Sequence, residues 1–191
     1  CNTATAAAID FLRGRYPDIP LVGMEPAVKP ACLHTRSGVV GVLATERSLD
    51  GELFRRTAAR YGRGIEVVTA PGKGFVELVE SDREATPEAE ECVRRAMAGM
   101  LERGADQIVL GCTHYPFLMP VFERIVAGRD VTIIDPSPAV ARRTAQLLDQ
   151  YGLRAAPDHR PTYEFRTFAD EAYRERLRAK AFADADTPAA R

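Results

Sequence analysis

The stretch Gln107-Ile108-Val109-Leu110-Gly111-Cys112-Thr113-His114-Tyr115-Pro116 contains a short apolar run, a polar corner and a proline that can open a helix. Short apolar runs of this kind are typical of buried parallel strands. Pro116 fits the first turn of a following helix, because that turn needs no backbone N–H from it. Ligands of open α/β sheets bind at the carboxyl ends of the strands. We therefore expect Cys112, Thr113 and His114 to border a cleft.

The rest of the chain repeats this alternation of strand and helix. Apolar runs predict strands at residues 20–24, 38–43, 65–69, 107–110 and 131–134. Segments with helical periodicity predict helices at 4–16, 48–61, 87–103, 118–127 and 138–151. The last part predicts a further strand at 163–168, a charged helix at 171–182 and a frayed tail at 183–191. The pattern indicates an α/β fold with a doubly wound, mainly parallel sheet.

Composition limits the classes of function. The chain carries 26 Lys and Arg against 27 Asp and Glu, with a net charge of -1 and basic residues scattered among acidic ones. DNA and RNA are therefore not expected as partners. No apolar stretch reaches the roughly 18 to 20 residues of a membrane span, so no membrane association is expected. The four cysteines have neither the density of a disulfide framework nor the spacing of a zinc site, which favours reduced thiols in the cytoplasm.

A second cysteine opens a similar polar corner, Cys1-Asn2-Thr3, which is followed by a predicted helix. Hydrogen-bond donors beside a thiol help to keep it as the thiolate, the form that accepts a proton. Two such corners suit a reaction that needs one thiol on each side of a small carbon acid. Cys32 and Cys92 are instead expected to pack as small apolar side chains.

The two corners, at this separation, resemble the signature regions of the glutamate racemases in the aspartate/glutamate racemase superfamily. The resemblance continues in shorter pieces, Gly23-Met24-Glu25-Pro26-Ala27, Gly41-Val42-Leu43-Ala44-Thr45, Phe75-Val76-Glu77-Leu78-Val79-Glu80 and Ile133-Ile134-Asp135. It covers about residues 1–155 and, more loosely, the tail. It implies two pseudo-symmetric, doubly wound lobes: residues 25–133 would form the second lobe, and residues 1–24 with 134–191 would form the first.

The resemblance also implies an activity. It implies interconversion of L-glutamate and D-glutamate without a cofactor or metal, which supplies D-glutamate for bacterial peptidoglycan and cell-wall biogenesis. Cys1 would work on the D enantiomer and Cys112 on the L enantiomer, and His114 and Glu80 would be further catalytic groups. The implied substrate-binding residues are Asn2, Thr3 and Thr113. A homodimer is compatible with the resemblance.

The chain departs from the family pattern at its beginning. The pattern places an Asp-Ser-Gly motif and a Tyr-Gly turn before the first cysteine, and neither precedes Cys1 here. The chain also begins without methionine. We therefore expect a fragment of a longer protein, with an incomplete first lobe and low activity in isolation.

Three alternatives stay open. A related superfamily member acting on aspartate or hydantoins would keep both cysteines. A hydrolase with an N-terminal cysteine nucleophile would use Cys1 with its own α-amine as base, but would leave Cys112 without a role. A truncated remnant would bind a ligand without catalysis.

Overall fold

The computed structural model describes residues 1–183, and the chain divides into two compact units, Cys1–Leu153 and Arg154–Arg191. The tail predicted to fray therefore lies, except for Ala183, outside the described residues. None of the helices in residues 1–183 combines the length and the apolar character needed to cross a membrane.

The first unit is built on a four-stranded parallel sheet. Its strands are β1 (Val39–Ala44), β2 (Glu66–Pro71), β3 (Gln107–Gly111) and β4 (Thr132–Ile134), in the order β2-β1-β3-β4. The register pairs Ala44 with Pro71 on one side and with Gly111 on the other. The carboxyl ends of the three longer strands therefore reach the same edge of the sheet.

Helices cover both faces of this sheet, as a doubly wound α/β fold requires. The helices of this unit are α1 (Asn2–Arg15), α2 (Val28–His34), α3 (Glu46–Leu49), α4 (Glu52–Tyr61), α5 (Phe75–Glu80), α6 (Pro87–Glu102), a 3-10 helix (Tyr115–Leu118), α7 (Met119–Val126) and α8 (Ser137–Gln150). Those that cover the sheet are α5, α6 and α7 on one face and α2 and α4 on the other. Side chains alternate between the faces of a strand. Ile108 and Leu110 accordingly join the larger core with α5, α6 and α7, whereas Val109 joins a smaller core with α2 and α4. The predicted fold class is confirmed.

Two predicted strands are wrong. Residues 20–24 have no partner in the sheet, and the Met24 N–H donates to Thr5 Oγ1 at 3.0 Å. Residues 163–168, in the second unit, also form no ladder, although the helix predicted after them is present as α9 (Glu171–Phe182). Their Tyr163 ring packs edge-on against Phe182, with ring centroids 4.9 Å apart. A strand needs a neighbour for its backbone groups, and an apolar pattern alone does not supply one.

The helices differ from prediction mainly near the carboxyl edge of the sheet. The predicted helix 48–61 is two helices, because α3 ends before Gly51, which is the N-cap of α4. Helices α2 and α5 were not among the predicted elements. Both are short, with seven and six residues, so they offer too few turns for a clear helical period.

A buried carboxylate stabilises the edge of the sheet at the amino ends of the strands. Asp106, just before β3, accepts hydrogen bonds from Thr35 Oγ1 at 2.6 Å and from the N–H groups of Arg36 and Ser37 at 2.6 and 2.9 Å. Burial raises the pKa of Asp106, but these hydrogen bonds outweigh it, so the pKa lies below its usual value. The carboxylate therefore ties the loop before β1 to the loop before β3.

Replacing Asp106 by asparagine is expected to lower the free energy of unfolding by about 1–3 kcal/mol, because hydrogen bonds to a charged group are lost. A carboxyl with a lowered folded-state pKa stabilises above its unfolded pKa, and the effect is lost as pH falls through the folded value. The difference from the unaltered protein should therefore be full at pH 7 and shrink below about pH 4. Urea unfolding at several pH values measures it, and a difference that is independent of pH would contradict this role.

Candidate active site

Cys112 lies at the carboxyl end of β3, where the chain turns into the 3-10 helix. The Tyr115 N–H donates to the Cys112 carbonyl at 3.1 Å, which closes the turn. The side chain is half-buried, and burial raises the pKa of the thiol. This effect exceeds the opposing effects of the backbone N–H donors at His114, Thr113 and Tyr115, which lower the pKa. The sulfur thus sits among donors in a setting that favours the neutral thiol.

His114 links Cys112 to an acidic residue on another segment. The Cys112 Sγ atom lies 3.8 Å from His114 Nδ1, and His114 Nε2 lies 3.1 Å from Glu80 Oε1. Glu80 is the last residue of α5. When Nε2 carries the proton and donates to Glu80, Nδ1 is left to accept a proton from the thiol. These three predicted residues therefore form one continuous line of contacts.

The start of α1 is held at the same edge of the sheet. Thr3 Oγ1 lies 3.2 Å from Thr45 Oγ1 and 3.0 Å from Ser48 Oγ. Thr45 directly follows β1, and its hydroxyl also caps α3 by accepting the Ser48 N–H at 3.2 Å. These hydroxyls fix the first turn of α1, and with it the exposed Cys1, beside the end of β1.

Cys1 and Cys112 consequently lie in one region. Ala44 pairs with Gly111, so Thr45 and Cys112 are the next residues of two adjacent strands. Thr3, two residues from Cys1, contacts Thr45.

Asn2 is the predicted site residue with the most unusual surroundings. It is only 4% exposed, and neither Nδ2 nor Oδ1 of its side chain has a hydrogen-bond partner in the described chain. It borders a small cavity of about 10 Å³, whose lining also includes Met24, Ser48 and Thr57. Buried polar atoms without partners are rare and cost free energy. The cavity beside this amide has room for about one water molecule.

Thr113 is half-buried, and its backbone N–H is one of the donors near the Cys112 sulfur. The predicted residues thus fall into two groups: Cys112, Thr113, His114 and Glu80 around the end of β3, and Cys1, Asn2 and Thr3 at the start of α1. Sequence reasoning missed Thr45 and Ser48, which join the second group to the sheet. The signal for Thr45 was available, because it lies two residues after the end of a predicted strand, as Cys112 does. Residues 1–183 contain no cluster of three or more His, Cys, Asp or Glu arranged to hold a metal ion.

Two curated relatives of this chain are glutamate racemases. The chain is 49% identical over 153 residues to the glutamate racemase of Roseiflexus sp. (strain RS-1), covering 80% of this chain and 56% of the relative. It is 47% identical over 162 residues to the glutamate racemase of Pseudomonas syringae pv. tomato, covering 85% of this chain and 58% of the relative. The chain therefore spans less than three fifths of the length of these two curated relatives.

Solved structures agree with the fold. Escherichia coli glutamate racemase, crystallised with L-glutamate and the activator UDP-MurNAc-ala, matches with a TM-score of 0.73 at 30% identity, over 93% of this chain and 66% of that one. Bacillus anthracis glutamate racemase isoform RacE1 matches with a TM-score of 0.78 at 24% identity, over 96% and 68%, which bears on the fold alone. The Asp/Glu/Hydantoin racemase family model matches residues 1–144 of the 191. The chain belongs to the Asp/Glu/Hydantoin racemase family.

Proposed function

We propose that the protein containing this chain interconverts L-glutamate and D-glutamate by proton transfer between two cysteines. One observation carries the proposal: Cys112, His114 and Glu80 stand in a line of contacts, at 3.8 and 3.1 Å, at the edge of the sheet where Cys1 also lies. A thiol with a proton acceptor behind it can exchange protons with a carbon acid. A second thiol on the other side allows the carbon to invert without turning over.

In the proposed reaction from D-glutamate, the Cys1 thiolate takes the α-proton and the Cys112 thiol delivers a proton to the opposite face. Burial raises the pKa of Cys112, which suits a thiol that must hold a proton until the carbanion forms. The reverse reaction needs the Cys112 thiolate, and His114 forms it by accepting the thiol proton. The Glu80 carboxylate stabilises the resulting imidazolium. After conversion of D-glutamate to L-glutamate, Cys1 is a thiol and Cys112 is a thiolate. These are the protonation states that the reverse reaction requires.

Substrate binding is proposed for Asn2, Thr3 and Thr113. The amide of Asn2 is buried without a partner, so a carboxylate or amino group of the substrate would satisfy it. The Thr3 hydroxyl already belongs to a hydroxyl cluster at the edge of the sheet, and the Thr113 N–H is part of the Cys112 corner. Donors fixed before the reaction can stabilise the charge that develops on the substrate carboxylate when the α-proton leaves.

Glutamate is preferred over aspartate or hydantoins because the relatives described above, at 49% and 47% identity, are glutamate racemases. A hydrolase using Cys1 would leave the contacts of Cys112 with His114 unexplained. We further propose that the reaction takes place in the cytoplasm and supplies D-glutamate for peptidoglycan. The protein is proposed to form a homodimer. Its second lobe would be residues 25–133, and its first lobe would be residues 1–24 with 134–191.

The proposal is tested by deuterium incorporation at the α-carbon of glutamate in D2O, followed by mass spectrometry and chiral chromatography. Because the curated relatives are longer than this chain, the product of the whole gene is used beside the isolated chain. Exchange with both enantiomers of glutamate, together with inversion, is expected. Exchange with aspartate or a hydantoin, but not with glutamate, would show that the protein is a related racemase with another substrate. Amide hydrolysis without deuterium exchange would show that the protein is a hydrolase. Binding of glutamate with neither exchange nor hydrolysis would show that it is an inactive remnant.

A further inference from the structure

We propose that Tyr115 is a positioning residue that keeps the line Cys112–His114–Glu80 assembled. The inference rests on the proposed function, because it concerns the same proton-transfer groups. It adds a buried tyrosine that touches no substrate and acts through the geometry of its neighbours.

Tyr115 is in contact with both segments that must be brought together. It follows His114 directly and is completely buried. Its ring packs edge-on against Phe75, with centroids 5.0 Å apart. Phe75 is the first residue of α5, the helix that ends at Glu80. A single side chain thus joins the corner that holds His114 to the helix that holds Glu80.

The carbonyl of Gly72 forms a junction at the end of β2. It accepts the Phe75 N–H at 3.3 Å and the Tyr115 hydroxyl at 3.5 Å. The packing there leaves no space, since a Cβ atom on residue 72 would lie 2.5 Å from the Tyr115 hydroxyl oxygen and 2.7 Å from the Phe75 ring. The sheet, α5 and the Cys112 corner therefore meet at one close contact.

The contact between His114 and Glu80 is weak by itself, so the line Cys112–His114–Glu80 needs support from the surrounding structure. The side chains of His114 and Glu80 are 29% and 41% exposed, and they come from segments 34 residues apart. Ion pairs at this exposure contribute little by themselves. Proton transfer, in contrast, is sensitive to misplacement of the order of 1 Å. The buried junction supplies the rigidity that the exposed pair lacks.

The test measures how strongly Glu80 acts on Cys112, without requiring racemase activity. The reporter is the rate at which iodoacetamide alkylates Cys112 at pH 7, read from the Cys112 peptide by mass spectrometry in the whole gene product. Glu80→Gln removes the charge that favours the His114 imidazolium, and with it the thiolate. We expect Glu80→Gln to slow alkylation by about threefold or more.

The same change is then made in three altered backgrounds, as a double-mutant cycle. With Tyr115→Leu, we expect the effect of Glu80→Gln to fall below about 1.5-fold, because the two segments are no longer held in register. Tyr115→Phe retains the ring and should retain most of the effect. Phe122→Leu is the matched control, since Phe122 is also buried against Phe75, with centroids 6.0 Å apart, but lies in α7. If Tyr115→Leu does not fold, Gly72→Ala replaces it, because its Cβ would push apart the Tyr115 and Phe75 rings that meet at this residue.

An effect of Glu80→Gln that persists in Tyr115→Leu would overturn the inference, as would an equal loss in Phe122→Leu. No effect in the otherwise unaltered protein would overturn the inference and the proposed role of Glu80 together. The expected alkylation rates could also be found in a protein that exchanges no deuterium into glutamate. That result would support the role of Tyr115 and contradict the proposed function.

Discussion

Replacing Cys112 by serine is expected to lower the rate of glutamate racemisation by on the order of 10³-fold or more, in both directions. The serine hydroxyl is isosteric with the thiol but far less acidic, so it cannot form the anion that accepts an α-proton. The thiol of Cys1 cannot compensate, because in the proposed reaction it serves the opposite face of the carbon. Circular dichroism of glutamate at 200–220 nm, or a coupled assay specific for D-glutamate, follows the loss in the whole gene product.

The matched control is Cys92→Ser, the same chemical change on α6. Cys92 is half-buried beside the larger core, and its sulfur contacts Arg95 at 3.6 Å. It takes no part in the proposed reaction, so racemisation should change by less than about twofold. Full turnover by Cys112→Ser, or an equal loss in both variants, would exclude the two-thiol reaction.

Most of the sheet and its longer helices could be predicted because their signals are local. Helix α6 was predicted at 87–103 and occupies Pro87–Glu102. Its N-cap Thr86 accepts the Ala89 N–H at 3.3 Å, and Gly104 after it adopts a φ of +80°. The four strands likewise lie within two residues of prediction, since each is a short apolar run bounded by turn residues.

The errors occur where a segment depends on a distant partner. Residues 20–24 have the apolar character of a strand, but their fate depends on whether a neighbouring strand is available, and Thr5 receives the Met24 N–H instead. The role of Asp106 was equally invisible, because its donors at residues 35–37 lie about 70 positions away. Pattern along the chain reports which face is buried, not which residue completes each hydrogen bond.

In the candidate site, too, local signals located some residues, whereas contacts between distant segments could not be predicted. Cys112 and His114 could be located at the end of a strand by local reasoning, whereas Glu80 came only from the family resemblance, since one acid among 27 carries no distinguishing pattern. The contact of Glu80 with His114 is seen only in three dimensions. The junction of Tyr115 with Gly72 is also invisible in the sequence, because it depends on a carbonyl and on close packing.

Replacing His114 by glutamine is expected to slow racemisation by about 10²-fold, the usual contribution of a positioned acid–base group. Glutamine keeps a polar side chain of similar reach but cannot accept a proton from the Cys112 thiol. His34→Gln is the matched control, because His34 lies exposed at the end of α2, where its Nδ1 contacts the Pro30 carbonyl at 2.7 Å. Initial rates with both enantiomers, compared with those of His34→Gln, measure the loss.

The pH dependence separates this chemical role from a structural one. Burial raises the pKa of Cys112, so without His114 the thiolate that L-glutamate requires forms only as the pH increases. The rate of His114→Gln should therefore continue to rise above about pH 8.5. The rate of the unaltered protein should rise less if it forms the thiolate through His114, as we propose. The primary isotope effect with α-deuterated L-glutamate should increase more than that with the D enantiomer, because only the Cys112 step is impaired. A uniform loss at every pH with unchanged isotope effects would show that His114 supports the corner without taking the proton.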